Sequence, residues 1–393
     1  MNGTEPDRRP LLVVLSFLGR RGETGIHQHV DLVMEAATDW GVEARFASPW
    51  SVSRWRRRAV TTVGALLGRL HPELGSVWTR IGFEAILALH VVGLLVRHRG
   101  RTVVLYAQEP SATAAALAAR RLRPSARVVS TAHYNESEAA ELVERGRARP
   151  GGLHARLLDR RERLMVRGSD LVVFPSRFSL ETVTGRWGAD VDAPCEVIPH
   201  PVEAAVPDPD APTGDLISIG TLEPRKNQGF LLEVLAAGRR RGHRWTLTLV
   251  GDGPDRAALE GRTAVLGLTD VVRFPGRVAD AARWLPSHRL YVHAARTESF
   301  GIVLAESLAA GVPVLAPARG AIPEVFSDGV EGRVWDLTDP DGAAETVAAV
   351  LGDPAMYARM QEAARSRHRR DLTPERILPR WRQAVLGSGH AGE

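Results

Sequence analysis

Residues 216–227, LISIGTLEPRKN, change character halfway along. Leu216, Ile217 and Ile219 make a short apolar, β-branched run bounded by Gly220, which reads as a buried strand. Pro224 then marks a turn, Arg225 and Lys226 bring two cations, and Asn227 is expected to cap a helix beginning there. Two cations at the carboxyl end of a strand, beside free helix-start N–H groups, predict an anion site. Lys226 is the only lysine among 51 basic residues. A compact ammonium and a guanidinium are not interchangeable where geometry is tight, so that solitary lysine asks for a function.

Working outward, the same strand-loop-helix unit recurs. Downstream, strands are expected at 216–220, 246–250, 271–274, 290–293 and 312–316, with helices from 227, 254 and 301; upstream, at 11–17, 42–47, 102–106, 127–131, 171–174 and 196–198. Strands alternating with amphipathic helices specify the α/β class with parallel sheets covered on both faces. Between the two series, EAAVPDPDAPTGD (203–215) has no periodicity and reads as a connector. The expected organisation is a Rossmann-like domain over 1–204, a linker at 205–215, a second Rossmann-like domain over 216–372, and a C-terminal helix in 373–393 crossing back to the first. Ligands of such sheets sit beyond the strands' carboxyl ends, so two of them predict a cleft.

The 393 residues, 44% hydrophobic and 25% charged, fit two ordinary globular domains. One cysteine, Cys195, excludes an intrachain disulfide. No apolar run of about 20 residues and no signal-like start are read, so a cytoplasmic location is expected. The net charge of +5 is uneven: Arg54, Arg56, Arg57, Arg58, Arg160, Arg161 and Arg163 fall in the first half and favour an anionic partner. Behind the first cluster, Val60, Val63, Leu66, Leu67 and Leu70 recur at near-helical spacing. That segment fits either a packed helix or peripheral contact with the inner face of an anionic membrane. No nucleic-acid partner is expected.

A second constellation is TESFGIVLAE (297–306). Gly301 opens a helix that Gly311 and Pro313 close, so the N–H groups of Phe300, Gly301, Ile302 and Val303 can cradle a phosphate. Glu298 precedes the turn, suited to sugar hydroxyls, and Glu306 lies beyond the first helical turn, suited to a ribose diol. Two other readings fail. No G-x-G-x-x-G follows a strand, which removes a dinucleotide site. The Asp-x-Asp strings at 190–192, 208–210 and 339–341 fall in turns or linkers, so no metal is expected.

The Pro-Arg-Lys-Asn element, Glu298 and Glu306 with seven residues between them, Ala309-Ala310-Gly311-Val312-Pro313-Val314 and Pro323-Glu324-Val325 together resemble the retaining glycosyltransferases of family 4. The resemblance covers the second domain and, more weakly, the first. It implies the GT-B fold, a nucleotide-sugar donor (UDP- or GDP-linked), a hydroxyl acceptor, retention of configuration, and no cofactor or obligatory metal. It places Lys226 on the donor diphosphate, Glu298 at the sugar hydroxyls, Glu306 on the ribose and Gly251-Asp252-Gly253-Pro254 beneath the donor. Arg277 and Val278 fall where the base is contacted, and His133, at the end of the run Val128–His133, against the donor sugar. Independently of the resemblance, the glycine-rich loop 19–25 allows close backbone approach to the acceptor or the diphosphate, and Gly25 is expected at the donor. Thr221 stands where the family often has arginine, so one phosphate-contacting cation is missing there, and the sequence leaves open whether Arg225 substitutes for it. The competing expectations are a non-catalytic sugar-nucleotide binder and a GT-B-like phosphorylase or epimerase.

Overall fold

The structure, a computed structural model, describes residues 9–20, 22 and 25–387. The chain divides into two compact units, one formed by Met1–Pro199 with Leu378–Glu393, the other by His200–Ile377.

The first unit runs β1 (Leu11–Leu15), α1 (Gly25–Asp39), β2 (Glu43–Ala47), α2 (Arg54–Leu70), α3 (Pro72–Arg97), β3 (Val103–Ala107), α4 (Pro110–Arg120), β4 (Arg127–Thr131), α5 (Glu138–Glu144), α6 (Leu153–Gly168), β5 (Leu171–Phe174), α7 (Arg177–Trp187) and β6 (Cys195–Val197). Its sheet has the order β2-β1-β3-β4-β5-β6, all parallel. Every residue of β1 and β3 is buried, as helices on both faces require of a central parallel strand.

The second unit runs β7 (Gly214–Ile219), α8 (Gln228–Arg240), β8 (Leu247–Val250), α9 (Arg256–Val265), β9 (Val272–Gly276), β10 (His288–Val292), α10 (Ile302–Ala310), β11 (Val314–Ala316), α11 (Ile322–Val325), β12 (Gly332–Val334), α12 (Pro340–Gly352) and α13 (Pro354–Asp371), and α14 (Pro374–Leu386) follows it. Its parallel sheet has the order β9-β8-β7-β10-β11-β12. Sequence order therefore reverses between β7 and β10, which opens a crevice at their carboxyl ends. In the first unit the reversal lies between β1 and β3.

Three expectations need correction. The stretch 205–215 is not a free connector: Asp208 N donates to Arg283 O (3.1 Å), Trp284 Nε1 donates to Asp208 (3.2 Å) and Ser287 Oγ donates to Pro212 O (3.0 Å), so it lies on the second unit. Pro- and Asp-rich composition reports exposure, not detachment. The units divide earlier, after Pro199, and α14 joins the first unit from Leu378 onward. There Trp381 is fully buried, 4.5 Å from the His29 ring, with Nε1 donating to Pro199 O (3.1 Å). Finally, α3 is 26 residues of mean hydropathy 1.7 over its most apolar window, long and apolar enough by length and composition to cross a membrane, and 28% of that window is buried. Scattered polar positions such as Thr79, Arg80, Glu84 and His90 hide that run in the sequence.

Candidate functional site

Two loops meet at the carboxyl ends of β7 and β10. From the first come Glu223, Arg225 and Lys226; from the second, Glu298. Glu298 is 6% exposed and takes three partners: the Lys226 ammonium, the Arg225 guanidinium at 3.3 Å, and His293 Nε2 at 3.1 Å. Burial opposes its charge, but Lys226, His293 and Arg225 outweigh it and hold the carboxyl well below the usual range. Glu298 is thus an ionised, acceptor-only group. Arg225 is fixed further by Glu223 (2.9 Å) and by donating to Thr297 O (3.1 Å), so it ties the two loops together.

The backbone is built around this contact. A Cβ on Gly251 would stand 2.0 Å from Gly220 O, and one on Gly253 2.2 Å from Leu222 O. The Gly251–Gly253 turn thus packs its backbone against the loop carrying Lys226, a reason for those glycines that needs no ligand. Gly301 has φ 82° where the chain enters α10. Asn227 precedes α8 at φ 53° and its side chain makes no cap bond, contrary to expectation. Asparagine serves there because it tolerates the left-handed region; Gln228 instead closes the loop, donating to Thr221 O (2.9 Å).

Along α10, Phe300 turns its ring into the core, edge-on to His200 at 5.4 Å, so only its backbone can serve a ligand. Ile302 and Val303 form the first helical turn, whose N–H groups lack intrahelical acceptors. Glu306, partly buried, follows one turn later. Arg277 is exposed just past β9, and Val278 beside it packs on the core.

The first unit has its own polar group where its sheet reverses. Ser16 Oγ (2.7 Å) and Phe17 N (3.1 Å) donate to Glu109, whose carboxyl burial pushes up to about 7. His133 lies two residues past β4, its Nε2 2.9 Å from Gln108 Oε1. Gly25 opens α1, whereas Arg21, Glu23 and Thr24 of the glycine-rich loop lie outside the described residues. A cavity of about 610 Å³ is lined by Phe17, Phe83, Leu142, Arg80 and His154 beside α2 and α3. Sequence reasoning missed Tyr291, His293 and Glu109. The first two sit within an apolar strand pattern, and burial alone makes Glu109 distinctive.

The Asp-x-Asp strings have structural work. Asp190 pairs with Arg163 (2.8 Å), Asp192 with Arg167 (3.2 Å) and Asp341 with Arg240 (2.9 Å), while Asp339 caps α12.

Comparison with known proteins places these observations. Residues 24–206 match the model described as Glycosyltransferase Family 4, and residues 205–367 that described as Glycosyl transferases group 1. A GDP-mannose-dependent alpha-(1-6)-phosphatidylinositol monomannoside mannosyltransferase of Mycolicibacterium smegmatis is 33% identical over 221 residues, 50% of this chain and 57% of that protein. A D-inositol 3-phosphate glycosyltransferase of Frankia alni is 34% identical, over 38% of this chain and 40% of that protein. The chain thus aligns with about half the length of these two relatives. A phosphatidyl-myo-inositol mannosyltransferase of Mycobacterium leprae is 28% identical over 88% of both chains. Among solved structures, sucrose-phosphate synthase from Thermosynechococcus elongatus superposes with TM-score 0.72, at 18% identity over 97% of this chain and 100% of that one. Anabaena HepE in complex with UDP and glucose gives 0.69, at 17% identity over 96% and 99%. These likenesses establish the fold as GT-B. The two family models together span residues 24–367, and the chain belongs to the group 1, family 4 glycosyltransferases.

Proposed function

We propose that this protein transfers a sugar from a nucleoside-diphosphate sugar to a hydroxyl acceptor, with retention and without a metal. The observation that carries it is the convergence of Lys226, Arg225 and Glu298 at the β7/β10 crevice, next to the N-terminus of α10. A diphosphate brings more negative charge than one carboxylate, so it competes for Lys226 while the first-turn N–H groups of Ile302 and Val303 cradle it, with those of Phe300 and Gly301. Glu298, released from Lys226, can then accept hydrogen bonds from the sugar. Glu306 serves the ribose, Arg277 and Val278 the base, and Gly251 and Gly253 hold the Lys226 loop beneath the donor. Gly25 and His133 are the first unit's candidates for the donor and its sugar.

In the proposed step the bond from the anomeric carbon to the diphosphate oxygen breaks, and the acceptor oxygen bonds to that carbon on the same face. The acceptor's proton passes to the departing phosphate oxygen, so no strong protein base is required. Cations preorganised where charge develops lower this barrier. The mannosyltransferase relatives favour GDP-mannose among the donors to be tried. A panel of GDP- and UDP-sugars, assayed with lipid-linked and soluble acceptors with and without EDTA, tests the reading. Transfer from one donor, unchanged by EDTA, is expected. Saturable binding without turnover would leave only a binder, and full loss in EDTA would bring in a metal.

A lipid acceptor is favoured by the α2–α3 pair. The two helices touch through glycine backbones, a Cβ on Gly75 standing 2.5 Å from Gly64 O. Outward they expose Trp55 (68%), Leu66 (54%), Leu70 (81%) and Trp78 beside Arg54, Arg56 and Arg58. Aromatic and aliphatic groups interleaved with arginine suit an anionic bilayer surface, and the neighbouring apolar cavity suits a lipid's apolar part. In flotation assays the protein should bind vesicles containing phosphatidylglycerol, and Trp55→Ser with Leu70→Ser should weaken binding about tenfold. Equal binding by that double variant would remove the surface from the account.

A further inference from the structure

Tyr291 and His293 are two residues apart at the end of β10, so their side chains lie on the same face of the strand. Both are enclosed, Tyr291 fully and His293 to 3% exposure. Tyr291 Oη lies 2.9 Å from His293 Nδ1, and His293 Nε2 lies 3.1 Å from Glu298 Oε1. The His293 backbone is pinned on both sides: its N–H donates to Leu315 O (2.8 Å), and its carbonyl accepts from Trp335 Nε1 (3.1 Å). With the backbone fixed, burial and the Tyr291 contact leave the ring little freedom to turn away.

We infer that Tyr291 and His293 are positioning residues that orient Glu298 for the donor sugar, Tyr291 donating to Nδ1 so that the ring carries its single proton on Nε2, facing the carboxylate. This deepens the proposed donor site and rests on it. The direction follows from what each atom can do: ionised Glu298 only accepts, a neutral imidazole has one N–H, and a phenol can donate. Burial keeps His293 neutral by lowering its proton affinity, more than Glu298 raises it. Burial, then the charges of Glu298 and Glu306, keep the phenol proton on Tyr291.

The alignment is incomplete. Although within ion-pair range, Nε2 has no aligned hydrogen bond to Glu298, whose Oε1 is also held closely by Lys226. A buried N–H without an aligned acceptor is costly. When a diphosphate takes Lys226, the carboxylate can rotate until Nε2–H points at it. The pair would thus favour the arrangement in which Lys226 is on phosphate and Glu298 on sugar. It acts through Glu298, so it should alter recognition of the sugar and leave that of the bare nucleotide untouched.

Two measurements on the full chain test this. Histidine side-chain ¹⁵N NMR, with the His293 signal assigned by its loss in His293→Gln, should show the neutral Nε2–H form in wild type and a shifted Nδ1 signal in Tyr291→Phe. Calorimetry with GDP, GDP-mannose, UDP and UDP-glucose should show His293→Ala weakening a sugar nucleotide about tenfold, with the matching nucleotide unchanged. His293→Gln, whose amide N–H reaches toward Glu298, should recover part of that loss, and His293→Asn should not. Tyr291→Phe should weaken sugar binding alone but add nothing in the His293→Ala background. An Nδ1–H tautomer, or equal loss for nucleotide and sugar nucleotide with a lowered Tm, would overturn the inference. Failure of wild type to bind any of the four, or a Glu298→Gln variant that discriminates sugars normally, would instead sink the donor-site reading.

Discussion

Lys226→Ala should lower kcat by about 100- to 1,000-fold, the usual consequence of removing one preorganised group that stabilises a developing oxyanion. The fold should survive, because the buried Glu298 keeps Arg225 at 3.3 Å and His293 at 3.1 Å. Lys226→Arg should restore little. A guanidinium has the charge but not the compactness to leave Glu298 and reach a phosphate past Gly220, where the lysine Cε runs 3.7 Å from the place of a Cβ. Steady-state rates beside thermal melts separate the effects, and a rate within a few-fold of wild type would remove Lys226 from the chemistry. Arg225 is the less mobile cation, bound to Glu223 and Thr297 as well, and suits holding the loops rather than following the leaving group.

Glu298→Gln should separate binding from transfer. Transfer should fall at least about 100-fold, since the sugar loses its charged acceptor. Affinity for the bare nucleoside diphosphate should rise about three- to tenfold, because Lys226 and Arg225 lose the carboxylate that competes with phosphate. Opposite signs in one variant are hard to obtain from general damage. The pH dependence follows from the same group. Burial works against its charge, but its cationic and histidine partners depress the carboxyl below its unfolded value. Its stabilising contribution is therefore present above the ordinary carboxylate range and lost as pH falls through the depressed native value. Wild type should exceed the variant in stability at neutral pH, and the gap should close only in strong acid. A nucleotide affinity that falls together with transfer would contradict the competition between carboxylate and phosphate.

Much of the architecture was legible. Strands such as 127–131 and 171–174 match β4 and β5 in both bounds, β5 because LVVF is a continuous apolar run and β4 because its β-branched residues Val128, Val129 and Thr131 mark a buried strand. Three-residue β12 at the sheet edge carries too little pattern to read. The two site loops stood out through residue types that strands and helices seldom need in sequence: a lone lysine after proline, and two glutamates around a glycine. What composition could not report was partnership. That Lys226 and Arg225 both rest on Glu298 depends on β7 and β10 being neighbours although 68 residues separate Ile219 from His288. Tyr291 and His293 looked like members of an apolar strand because hydrogen bonding between buried side chains leaves no trace in periodicity. Asn227 looked like a cap, since asparagine suits both caps and left-handed turns and only φ tells them apart.

A crystal structure of the protein with its sugar nucleotide tests the central exchange most directly. It should show the Lys226 ammonium on the diphosphate, the Ile302 and Val303 N–H groups beside it, and Glu298 accepting from the sugar. Lys226 still paired to Glu298, with the diphosphate bound away from the head of α10, would contradict it.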